Sequence, residues 1–136
     1  MRTGLTQSVL LIEDMQTDMK REPKVEVVFR KDEDGVFALF PYIPWNRRGT
    51  TVTYYAHMGQ HSGLNYHYAV MDSRPAKPEE YADLLAELKG IGYRLRVIKR
   101  ASHRRMEQAA RKQRELFDQL EKQQHELLHR IEYRSR

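Results

Sequence analysis

The chain of 136 residues has no cysteine. That excludes disulfides, thiolate catalysis and cysteine-based zinc sites, and a reducing, cytoplasmic setting is the natural expectation. Long apolar runs are missing too. The longest near the N-terminus, Val9 to Ile12, is four residues, too short for the core of a signal peptide or for a membrane span. No membrane partner is therefore expected. There is no G-x-S-x-G, no phosphate-binding P-loop, no Walker-type lysine and no H-E-x-x-H, so the common hydrolase, nucleotide and zinc-peptidase signatures are absent. No cofactor is expected. Glycine and proline are sparse, and neither occurs between Ser102 and Tyr133.

What is present supports a folded domain. Hydrophobic residues make up 40% of the chain and are well spread, enough for one core at this length. Residues 1–18 read as a separable extension, because Met19-Lys20-Arg21 makes an ordinary start of its own. Residues 19–100 then read as an α+β domain and 101–136 as a long helix.

Strand composition fills 24–30 and 36–40, joined by the acidic turn Asp32-Glu33-Asp34-Gly35, whose Asp-Gly end is a strong hairpin signal. Pro41 and Pro44 close the second strand; 50–56 reads as a third and 66–71 as a fourth, ending at Asp72-Ser73-Arg74-Pro75. A helix follows. Pro78 opens it, Glu79 and Glu80 suit its positive end, and Tyr81, Leu84, Leu85 and Leu88 form one apolar face. Gly90 is the expected cap, with Ile91 folding back on the last turn. Residues 93–98 make a fifth strand, with Leu95 and Val97 inward and Arg94 and Arg96 outward. The expected fold is thus α+β: a mainly antiparallel sheet of about five strands, a covering helix and a long C-terminal helix.

That last helix carries a heptad pattern from about Ser102 to Tyr133. Met106, Ala110, Gln113, Phe117, Leu120, Gln124, Leu127 and Ile131 fall on one seam, with the two glutamines as polar positions of the kind that set register in coiled coils. At about 1.5 Å per residue it would be roughly 45 Å long, more than a small domain is wide. It must pack on a partner helix, project, or bend back. A homodimer through this helix is the expectation.

Charge is unevenly placed. The net charge is +5, but residues 94–114 hold nine Lys or Arg against one acid, Glu107. Residues 115–136 hold four basic and five acidic residues. A local basic stretch points to phosphate backbones or acidic protein surfaces.

Five segments together carry a resemblance: V-x-V-V-F-R-K (25–31), A-L-F-P (38–41), Y-x-H-x-G-Q-H (55–61), P-E-E-Y-A-D-L-x-x-E-L (78–88) and I-G-Y-x-L-x-V-x-K-R (91–100). In that order they resemble a family of small uncharacterised proteins carried by bacteriophages and bacterial mobile elements. The resemblance covers about residues 20–100. It implies a phage or mobile-element origin and carries no activity or functional residue with it.

Two places are candidates for function. In the first, a β-type run breaks at Gly59 beside Gln60, His57 and His61, with Tyr54, Tyr55, Tyr66 and Tyr68 nearby. Backbone amides at Gly59 could cradle an anion, with Gln60 and His61 as donors; the plainer reading is a hydrogen-bonded loop over core tyrosines. Alternation sends Tyr54 and Tyr55 to opposite faces. His57, His61 and His67, with Asp72, are a weaker candidate for a divalent metal, because histidines four apart share a site on a helix but not on a strand. An acid–base or metal-assisted phosphodiesterase using His57 and His61 is the enzymatic alternative.

The second is the basic stretch: Arg94, Arg96, Lys99, Arg100, Arg104, Arg105, Arg111, Lys112 and Arg114. Clustered cations suffice to bind a phosphate backbone, whereas the base-reading residues of a basic zipper are not evident. A solvated helix face is the bland alternative. Cations at a helix N-terminus oppose the dipole, a local cost that favours a functional reason. The favoured function is a non-catalytic phage or mobile-element binding protein. It would engage nucleic acid, or a host nucleic-acid-processing complex that it inhibits, with the loop at 59–61 adding specificity.

Overall fold

A computed structural model describes residues 24–56 and 60–135. The expected extension, 1–18, lies outside these residues. The elements run β1 (Val25–Asp32), β2 (Gly35–Pro44), β3 (Val52–Ala56), β4 (Gln60–Leu64), α1 (Tyr66–Met71), β5 (Arg74–Pro75), α2 (Pro78–Ile91), β6 (Leu95–Val97) and α3 (His103–Ser135). The strands form one six-stranded sheet in the order β4-β3-β2-β1-β5, with β6 also beside β1. The fold is α+β, as the sequence indicates.

Both faces of the sheet are covered, which explains the nearly unbroken apolar runs in β1 and β2. Val27, Phe29, Ala38, Phe40 and Tyr55 point to one face and pack on Leu84 and Leu88 of α2. Val28, Phe37, Leu39 and Val52 point to the other, against Tyr66, Ala69 and Val70 of α1 and against Ile98. The hairpin forms where Asp-Gly predicts it: Asp32 pairs with Gly35, which has a φ of 124°, open to glycine at little cost.

The stretch 66–71, expected as a fourth strand, is a helix. Asn65 caps it by accepting a hydrogen bond from the Tyr68 amide at 3.2 Å. Tyr66, Ala69 and Val70 then fall at i, i+3 and i+4 and cover the sheet. The fourth strand is instead β4, paired antiparallel with β3.

Helix α2 begins at Pro78, where the Glu80 carboxylate accepts the Lys77 amide at 3.0 Å, and runs past the glycine expected to end it. Gly92, with a φ of 125°, is the cap. Tyr93 decides between the glycines: its amide reaches the Leu88 carbonyl and its ring stacks on Phe40 at 5.1 Å. Ile91 is 52% exposed, so Tyr93 rather than Ile91 closes the helix end.

β6 lies parallel to Val25–Val27, while β5 pairs antiparallel with Arg30 and Lys31, so the two share one edge of β1. Leu95 packs into the core as expected, but Val97 is 40% exposed.

α3 spans 33 residues, roughly 50 Å. Its first half lies on the sheet. Tyr42 and Tyr66 hydroxyls accept hydrogen bonds from the Ser102 and Ala101 amides at 2.8 and 3.2 Å, fixing where the helix starts. Ala110 is buried against Gly49. From Leu116 onward the large apolar side chains are all at least 36% exposed.

Candidate nucleic-acid interface

Docking α3 by Met106 and Ala110 turns its opposite side to solvent. Arg104 and Arg111, seven residues apart, share one flank of that side; Arg105 and Lys112 share the other. All four are exposed. Arg105 donates to Glu26 at 2.9 Å, and its guanidinium lies 4.0 Å over the Tyr42 ring. The Glu26 hydrogen bond raises the Arg105 pKa further. Arg96 stands on β6 with its backbone in register with that of Glu26, whose side chain is only 14% exposed. Among the described residues, Arg96, Arg100, Arg104, Arg111 and Lys112 have no carboxylate partner.

Other members of the stretch are engaged elsewhere. Arg114 donates to Glu107 and to the Arg48 carbonyl, both at 3.1 Å, tying α3 to the β2–β3 turn. Lys99 lines a separate cavity with Pro75, Pro78 and Tyr81. Arg94 is half-buried, and its carbonyl accepts the Val25 amide at 2.7 Å. The stretch thus resolves into a surface (Arg96, Arg100, Arg104, Arg105, Arg111, Lys112), an exposed Lys99 beside another cavity, and the half-buried Arg94 and Arg114. On its Lys112 side this surface borders an open groove of about 390 Å³ lined by Tyr42, Pro44, Gln108, Gln113 and Leu116.

The histidine-rich loop has a different geometry. His57 and Gly59 lie outside the described residues; the Gln60 backbone opens β4 opposite Ala56. His61 stands opposite Tyr55, its ring 4.8 Å from the tyrosine ring, and its Nε2 shares a 2.8 Å hydrogen bond with the Tyr93 hydroxyl. Burial pushes the Tyr93 pKa up, which keeps that hydroxyl protonated. Tyr55 is 1% exposed and donates to Glu87 at 2.8 Å, so it serves the core and presents no stacking face. Tyr54 lies on the other side of the sheet, against Phe37.

His67 does not join His61. It sits on α1, across the sheet, with its ring stacked 4.6 Å from that of His103 at the start of α3. Among the described residues no three metal-ligating side chains come together.

Sequence reasoning passed over Arg30, the most buried cation among the described residues. It is 8% exposed, donates to the Ser73 side chain at 2.9 Å, and reaches the Val70 and Ser73 carbonyls at 2.9 and 2.6 Å. It therefore satisfies the carbonyl end of α1, where a cation suits the dipole. Burial lowers its pKa from the usual value. An arginine inside the apolar run V-V-F-R-K was the available signal.

Compared with protein-family models, curated proteins and solved structures, the chain matches none. No helix among the described residues is long and apolar enough to cross a membrane.

Proposed function

We propose that the protein is a non-catalytic nucleic-acid-binding protein that works through the outer face of the first half of α3 and the adjoining β6. One observation carries the reading. Arg104, Arg111 and Lys112 project from a helix fixed to the sheet by Tyr42, Tyr66 and Ala110, and none of the three is ion-paired among the described residues. A rigid array of unpaired cations lowers its own energy by taking up phosphates and releasing counterions. Arg105, bonded to Glu26, and the exposed Arg96 on β6 extend the array onto the sheet edge.

This reading is of a phage or mobile-element accessory protein acting in the cytoplasm. Its partner is nucleic acid, free or within a host complex that processes it, and a second copy associates through α3. His61 is held by Tyr93 and Tyr55, which favours packing over acid–base work at that position.

The test is a fluorescence-anisotropy titration with labelled single-stranded DNA, double-stranded DNA and RNA across a salt series. Binding that falls steeply with salt supports the reading. Binding indifferent to salt, or none at low salt, removes it.

A further inference from the structure

We propose that the bare half of α3, from Leu116 to Ile131, pairs antiparallel with the same segment of a second copy. This rests on the self-association included above and gives it a direction.

The first argument is steric. Met106, Ala110, Phe117, Leu120, Leu127 and Ile131 lie along a single seven-residue stripe of the helix. The start of that stripe is occupied by the chain's own sheet: Ala110 is 5% exposed and close against Gly49. Its continuation is bare, with Leu120, Leu127 and Ile131 each 50–57% exposed. A second helix laid parallel on the bare half would run, at its N-terminal side, into the sheet that fills the same face. Laid antiparallel, it points away from that sheet and carries its own domain toward the C-terminal end of the helix.

The second argument is charge. Residues 115–121 carry Glu115, Asp118 and Glu121 and no cation, Lys122 follows them, and the tip carries Arg130 and Arg134 with one acid, Glu132. Arg47 from the β2–β3 turn bonds Glu121 and comes within 3.8 Å of Asp118, one cation shared between two acids. Antiparallel pairing sets the basic tip of each copy beside the acidic start of the other. Parallel pairing sets like against like. The segment is therefore complementary to itself in one direction only, which identifies the occupant as a second copy.

Placing Leu120 of one copy against Ile131 of the other keeps both tips clear of the domains. Gln124 then meets Leu127, a polar mismatch of the kind that weakens a seam.

The absence of cysteine makes the test clean. Leu120→Cys and Ile131→Cys chains are prepared separately, oxidised mildly alone and as an equimolar mixture, and weighed by light scattering. The expected result is a particle twice the 16.2 kDa chain mass, with a disulfide forming between the two variants in the mixture and far less within either alone. Leu120→Asp, at an exposed position, returns the mass to that of one chain. Ready self-linking of Ile131→Cys would overturn the antiparallel direction and leave self-association standing. A single-chain mass at the highest attainable concentration would overturn both.

Discussion

Gly49 and Ala110 meet so closely that a Cβ on the glycine would stand 2.6 Å from the alanine Cβ and 2.8 Å from its Cα. Their meeting seats α3 on the β2–β3 turn and so decides which side of the helix shows its cations. Gly49 also has a φ of 73°, where side chains are strained.

Gly49→Ala should therefore cost about 1–3 kcal/mol from backbone strain, before the clash with Ala110 is added. The expected sign is local. Limited proteolysis should cut within 103–118 sooner than in the wild type, while the sheet keeps its protection. Unchanged cleavage would mean that α3 is held by Tyr42 and Tyr66 alone.

Arg30 should tolerate no replacement. One guanidinium serves a hydroxyl and two carbonyls at the end of α1; hydrogen bonds to a charged group contribute about 1.5–3 kcal/mol each. Arg30→Met removes the guanidinium from the Ser73 carbonyl and leaves the Val70 carbonyl only the long bond from the Ser73 amide, and Arg30→Lys supplies a point charge without the fork. Urea denaturation should show both destabilised, with methionine the worse. A midpoint equal to the wild type would refute the role assigned to Arg30.

Glu80 gives a pH signature. Arg74 donates to it at 2.8 and 2.7 Å, the Lys77 amide at 3.0 Å and Lys31 at 3.0 Å. Those bonds, Arg74 first, hold its pKa well below the usual carboxylate range. A depressed folded pKa means that the unfolded state binds the proton first. The stabilisation is thus present above about pH 4.3 and lost as pH falls below it. Glu80→Gln should flatten the acid side of the Tm profile and respond to added salt far less than the wild type. Parallel acid limbs for the two proteins would contradict this.

His61→Phe should keep the ring against Tyr55 and lose the bond to Tyr93, for about 1 kcal/mol. His61→Ala should lose both and unfold at a clearly lower temperature. Equal Tm values for the two variants would show that the ring packing adds nothing to stability.

Much of the fold was legible because its local signals agreed with its tertiary packing. Asp34-Gly35 marked the hairpin, Pro78 with Glu79 and Glu80 marked the start of α2, and the gapless heptads from Met106 marked α3. The misread elements are those where distant packing decides. Tyr66, Tyr68 and Val70 have strand composition, yet Asn65 caps them into a helix whose carbonyl end Arg30 completes from 40 residues away. Gly90 was the expected cap, but the helix runs on to Gly92, where the Tyr93 amide reaches Leu88 and its ring stacks on Phe40. The basic surface was legible as charge. Its division was not, because only the docking of α3 on the sheet brings Arg105 to Glu26 and leaves Arg104, Arg111 and Lys112 without a carboxylate among the described residues.

Charge reversal at two positions shows whether the cations of α3 hold nucleic acid. Arg104 and Arg111 are exposed, make no ion pair among the described residues and take no part in docking α3 on the sheet. Salt titrations of nucleic-acid binding should be run on the wild type and on the Arg104→Glu, Arg111→Glu double variant. The double variant should bind every sequence tested more weakly, with the slope of log K against log salt shallower by about 0.7–0.9 for each phosphate no longer neutralised. Equal affinity and equal slope in the two proteins would contradict that role.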